Sequence, residues 1–222
     1  MNRINKFFSH QDLINIEQAV KDAEKQVSGE IVPVFIEQSD NYPEAALRAG
    51  ILSIMMTAVA ILLIDEGLGW KQFVLLRNEW VFLGSILFGG VIGALATIYI
   101  TPIKRWMIGT RRMDEHVDAM AKQLFLEHRL FETSNRTGIL ILVSLFEREV
   151  EILGDKGINE KINPEQWLNI VNEMTDLLAK RKNFDAILTG IHMCRDLLIA
   201  NHFIANGENP NELSDHLRPA SR

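Results

Sequence analysis

The stretch Trp80-Val-Phe-Leu-Gly-Ser-Ile-Leu-Phe-Gly-Gly-Val-Ile-Gly-Ala-Leu-Ala-Thr-Ile-Tyr-Ile-Thr-Pro-Ile103 holds no charged residue. A second apolar stretch, residues 45–64, holds a single charge, Arg48, near its start. An α-helix needs about 20 apolar residues to cross a hydrocarbon core about 30 Å thick, and both stretches reach that length. A core helix of a soluble protein carries a polar stripe at helical spacing, and neither segment has one. The expectation is a two-helix transmembrane hairpin, 45–64 and 80–103, joined by a short loop, 65–79.

Basic residues are unequally placed around it. Arg48, Lys104, Arg105, Arg111 and Arg112 flank the outer ends, against Lys71 and Arg77 in the loop. The positive-inside rule then puts both flanking segments in the cytoplasm and the loop outside, making a multi-pass protein of the cytoplasmic membrane. Small residues recur every four positions: Ala49, Ser53 and Thr57 in the first span, Ser85, Gly89, Gly93 and Thr97 in the second. Such stripes let helix backbones approach closely where lipid gives no drive to associate. Either the two helices pack on each other or the stripe is a self-association seam.

The average composition conceals this clustering. The chain has 222 residues, 23% charged and net −6, with mean hydropathy +0.04. No basic patch points to nucleic acid, and the single cysteine, Cys194, excludes an internal disulfide framework. The first ten residues lack the apolar core of a signal peptide.

Residues 1–44 and 104–222 together suffice for one core. Ser9 and Asp12 form a capping signature ahead of Leu13, Ile16, Val20, Ala23 and Val27 at helical spacing. Glu30-Ile-Val-Pro-Val-Phe-Ile36 is a buried strand in which Pro33 signals an edge or an irregularity. Met113, Val117, Met120, Leu124 and His128 mark a helix; residues 137–144 form a strand buried on both faces, hairpinned to a half-exposed one at 148–153. Two more helices follow, carrying Trp167, Ile170, Met174 and Leu177, then Ile187, Ile191, Cys194 and Leu198. An irregular tail is expected at 205–222. The order predicts a layered α/β domain interrupted by the hairpin.

Several of these residues resemble a known family. Ser28-Gly-Glu-Ile31, the run Thr133-Ser-Asn-Arg-Thr-Gly-Ile through Glu-Val-Glu-Ile152, Asp155 with Gly157-Ile158, and Asn211-Glu-Leu-Ser-Asp215 together look like the TPM-domain family. That family includes thylakoid-lumen photosystem repair proteins and bacterial membrane proteins. The resemblance implies an α/β/α sandwich, an acid-phosphatase activity as in plant members, calcium binding, and a role in maintaining membrane complexes. Family members are typically exported behind a signal peptide, and the hairpin here interrupts the domain. Ile204 and Ser214 also stand where the family has prolines.

Asp155 is the best single catalytic candidate, since it follows a strand end between two glycines, where a carboxylate can meet a metal or a phosphate ester. An aspartate initiating a turn fits the same residues. Glu30 and Asp40 bracket the first strand and would complete a calcium or magnesium site with Asp155 if the strands bring them together. Arg136 suits a phosphate or a structural ion pair equally. Cys194 lies on an apolar helix face with no evident base, which argues against a cysteinyl nucleophile. Two functions are expected. The first is a membrane-tethered module assembling a complex with another membrane protein or with itself. The alternative is a metal-assisted phosphatase acting on phosphomonoesters.

Overall fold

The computed structural model describes residues 7–68, 78–133, 135–205 and 216–219. Most of the expected loop and the oxygen-rich Asn211, Glu212 and Asp215 lie outside the described residues. The chain divides into two compact units, Met1–Ser39 with Asp114–Arg222, and Asp40–Met113.

In the first unit, helix α1 (His10–Glu24) begins at a reciprocal cap. Ser9 Oγ accepts from Asp12 N, and the Asp12 carboxylate accepts from Ser9 N, an arrangement that stabilises the helix by about 1 kcal/mol. Strands β1 (Glu30–Ile36) and β2 (Gly138–Ser144) pair in parallel, Glu30 opposite Gly138. Strand β3 (Glu149–Gly154) runs antiparallel to β2. The tail, expected to be irregular, contributes Arg218–Pro219 as a short β4 parallel to β1, giving the order β3-β2-β1-β4.

Both central strands are buried along their whole length, because helices cover both faces of the sheet. Ile31, Phe35, Ile139, Ile141 and Val143 share one core with α1, α7 (Pro164–Ala179) and α8 (Asn183–Ala200). Val32, Val34, Leu140 and Leu142 share another with Val117, Met120 and Leu124 of α5 (Thr110–Glu127). The result is a three-layer α/β/α domain. Each large side chain so buried contributes about 1.5–3 kcal/mol.

Pro33 sits in a strand that has neighbours on both sides, and the sheet accommodates it. Glu30 N donates to Thr137 O on the β2 side, so alternation turns the amides of Ile31, Pro33 and Phe35 the other way. Strand β4 covers only Val34 and Phe35 there. Ile31 N instead donates to the buried Glu24 carboxylate at 2.8 Å. Proline therefore replaces an amide where the ladder has already thinned, and Glu24 caps the one that remains.

The second unit contains two long helices, α2 (Pro43–Leu68) and α3 (Glu79–Tyr99). Both are long and apolar enough to cross a membrane, at mean hydropathy 2.2, and only 6% and 17% of their apolar windows are buried. They pack along the small residues. A Cβ on Gly93 would overlap the Ser53 side chain and lie 2.7 Å from Ala49 O, and one on Gly89 would overlap Thr57. Thr97 is buried, its hydroxyl donating to Ala94 O, while Ser85 donates to Val81 O of its own helix.

The stretch expected as one span over 80–103 is broken. Helix α3 ends at Tyr99, Ile100 is extended (φ −116, ψ 90), and a new helix, α4, occupies Thr101–Ile108. Pro102 is the cause, for it cannot donate to the Ile98 carbonyl and its ring would collide with that group. The charge in the first stretch is also explained. Arg48 donates to Met107 O at 2.9 Å and Ile108 O at 3.3 Å, closing the last turn of α4.

Candidate functional site

The residues that carry the family resemblance meet at one end of the sheet. Arg136 grips Asp155 in a two-pronged pair, Nε to Oδ2 at 2.6 Å and Nη2 to Oδ1 at 3.0 Å. The Asp155 side chain is 5% exposed, and it also accepts from Lys156 N as the N-cap of the short helix α6 (Lys156–Asn159). Gly157 N donates to Arg136 O, and a Cβ on Gly157 would lie 2.5 Å from Asn135 O. Only glycine allows that approach. Thr137 N donates to Thr133 Oγ1, while Thr137 Oγ1 donates to Ser28 O.

Arg136 has a left-handed backbone, φ 56, which costs a non-glycine residue energy unless its surroundings hold it there. Here the carboxylate takes its side chain and Gly157 takes its carbonyl. The hydrogen bond to Asp155 also raises the already high pKa of the guanidinium, so Arg136 keeps its charge throughout the working pH range.

Topology changes the reading of Asp155. It follows the end of β3, but β3 is antiparallel, so that end lies beside Gly138 at the amino-terminal edge of the parallel pair. Ligand crevices of α/β sheets form at the carboxyl edge of parallel strands. Glu30, 3% exposed, starts β1 at the same amino-terminal edge. Asp40 follows the carboxyl end of β1 in sequence and belongs to the other compact unit. Among the described residues no three His, Cys, Asp or Glu side chains come together as a metal site. Both Asp155 oxygens accept hydrogen bonds, Oδ2 from Arg136 Nε and Oδ1 from Arg136 Nη2 and Lys156 N.

The carboxyl edge of β1 and β2 holds a cluster that sequence reasoning missed. Glu147 is 1% exposed in the β2–β3 turn. Its Oε1 accepts from Ser39 N at 2.9 Å and Ser39 Oγ at 2.6 Å, and its Oε2 accepts from Ser144 Oγ. In sequence Glu147 is one acid in Phe-Glu-Arg-Glu, a charged turn by composition, and its partner Ser39 stands 108 positions away. Cys194 is fully buried and its thiol pKa is pushed up by that burial, which leaves it a core residue rather than a nucleophile.

If the Asp155 pair is structural, Arg136→Ala should cost more stability than Asp155→Asn. Removing the guanidinium strands a buried carboxylate, whereas asparagine can still accept from Lys156 N. Arg136 is itself half-exposed, so the larger part of the loss comes from leaving the buried Asp155 carboxylate without its partner. Urea unfolding followed by far-UV circular dichroism measures it, and an unchanged midpoint for Arg136→Ala would remove the structural role.

The TPM domain model matches residues 101–197, a span that includes Arg136, Glu147 and Asp155. No curated protein matches the chain significantly. The NMR structure of BA42 protein from the psychrophilic bacterium Bizionia argentinensis is similar in fold, with a TM-score of 0.59 at 17% identity, over 99% of this chain and 100% of that one. The matched span runs from the start of α4 into α8 and takes in the Arg136–Asp155 clamp, so over residues 101–197 the chain is similar to the TPM domain.

Proposed function

We propose that the chain is a membrane-anchored TPM module that helps assemble or stabilise a membrane complex. The observation that carries this reading is the exposure of α2 and α3. Leu47, Met55, Met56, Val59, Leu62 and Leu63 are each more than half exposed. In water these six side chains alone would cost on the order of 10 kcal/mol, comparable with the whole stability of a domain. Lipid removes that cost. Trp80 and Tyr99, each 81% exposed, bracket α3, and the helix between them spans about 28 Å. That spacing suits the aromatic belts on either side of a hydrocarbon core about 30 Å thick. The excess of Arg and Lys at the outer ends of the hairpin favours the cytoplasm for both termini.

Complex assembly is preferred over catalysis because the strongest acidic candidate is committed to Arg136. Hydrolysis of a phosphomonoester by a calcium- or magnesium-activated water needs several ligands to hold the ion, and among the described residues Asp155 has no further acids grouped with it to supply them.

The anchoring test is alkaline carbonate extraction of membranes carrying the intact protein. The protein should stay in the pellet, and a form with residues 45–103 replaced by a flexible linker should move to the supernatant. Release of the intact protein would end this reading. Cross-linking in the intact membrane should capture a reproducible partner, a second copy included; none would count against assembly.

A further inference from the structure

We propose that helix α4 is an interfacial helix that binds the headgroups of anionic phospholipids. This rests on the membrane reading above and adds a lipid preference to it. Three observations converge on α4.

The first is its place in the chain. It follows the apolar α3 across a break at Ile100, so the segment Thr101–Ile108 starts where a span beginning near Trp80 runs out of hydrocarbon.

The second is its composition, which is amphipathic. Trp106 is 72% exposed, and Tyr99 and Ile100 before it are 81% and 46% exposed. An exposed tryptophan beside basic residues is the arrangement of helices that lie in the headgroup layer.

The third is charge. Lys104 and Arg105 lie on α4, exposed Arg111 and Arg112 follow within one turn of α5, and Arg48 closes the α4 C-terminus. Asp40 and Glu44 lie at this end of the unit, Glu44 pairing with Arg112 at 3.5 Å, and Asp114 and Glu115 follow Arg112 in α5, so the local excess rests on α4 itself, which carries Lys104 and Arg105 and no acid. Lys104 Nζ lies 5.9 Å from the Tyr42 ring centre, so an aromatic face helps to hold this cation in place. In an interfacial position, the two cations of α4 lie within a Debye length of anionic headgroups.

The test uses the full chain purified in a neutral detergent, with phosphatidylglycerol, phosphatidylcholine or inorganic phosphate titrated in and the melting temperature followed. Phosphatidylglycerol should raise it well above the effect of phosphatidylcholine, and inorganic phosphate should not. The double variant Lys104→Gln with Arg111→Gln should weaken the apparent phosphatidylglycerol affinity by roughly fivefold per charge removed. The charge-keeping pair Lys104→Arg with Arg111→Lys should retain it, which separates lost charge from lost folding. Equal shifts with both lipids, or an equal shift with inorganic phosphate, would overturn the headgroup proposal. Carbonate extraction of membranes carrying the same proteins, before any detergent is added, separates the two readings. A protein that resists extraction but ignores lipid charge is anchored without this preference, and one that is extracted loses both.

Discussion

Replacing Gly93 by leucine is expected to separate α2 from α3. The Gly93 Cα faces the Ser53 side chain, and the Ala49 carbonyl lies 2.7 Å from where a Cβ would stand. A flexible side chain can swing aside, but a backbone carbonyl within a helix cannot, so the helices must move apart. In the membrane proposed above, lipid would supply no hydrophobic drive to hold two helices together, and close packing would remain. A cysteine pair reports the outcome directly. An ideal Cβ at Gly50 lies 3.7 Å from the Ala94 Cβ, matching the Cβ separation of about 3.8 Å in a disulfide. Gly50→Cys with Ala94→Cys should therefore oxidise to an internal bond in the intact protein. The Gly93→Leu background should reduce that yield by roughly tenfold, as expected for a packing loss near 1.4 kcal/mol or more. An undiminished yield would show that α2 and α3 do not meet at Gly93. Cross-links between chains rather than within them would restore the self-association seam as the role of the small residues.

The hairpin and the layers are legible in the sequence because each rests on local regularity. Apolar length marks α2 and α3, alternation marks β3, and Ser9 with Asp12 marks the start of α1. Less legible is whatever depends on strand direction and distant pairing. Asp155 follows a strand end in sequence, yet that end is the amino-terminal edge of the parallel pair, because β3 turns back on β2. The break at Ile100 is encoded in Pro102 but hidden by continuous apolarity. Pro33 marks a sheet edge correctly for half of β1, since β4 pairs only with Val34 and Phe35. Glu147 carries no local signal, because the serines that explain its burial come one from the end of β2 and one from before the inserted hairpin in sequence.

That same carboxylate should be the most costly single side chain to remove from the α/β unit. Glu147 ties the residues after β1 to the end of β2, accepting the Ser39 amide and both serine hydroxyls in a site 1% exposed. Truncation to alanine leaves a buried N–H and two hydroxyls without this acceptor, each costing about 1–3 kcal/mol where water does not reach. Some relaxation and water entry are expected, so the net loss for Glu147→Ala is about 3–5 kcal/mol, a large part of a typical domain's stability. Glu147→Gln keeps one oxygen acceptor but places an amide where Ser39 or Ser144 donates, and should cost about half as much. Ser144→Ala removes one donor and leaves the other two bonds intact, so it should cost about 1 kcal/mol. Denaturant midpoints of the full chain in detergent, read in a background where Trp70, Trp80 and Trp106 are replaced by phenylalanine so that Trp167 alone reports, rank the three. A buried acceptor hub requires Glu147→Ala to be the most damaging, Glu147→Gln to come next and Ser144→Ala to be the mildest. Near-neutral Glu147→Ala would mean that the carboxylate is not holding the carboxyl edge together and is instead kept for a ligand there.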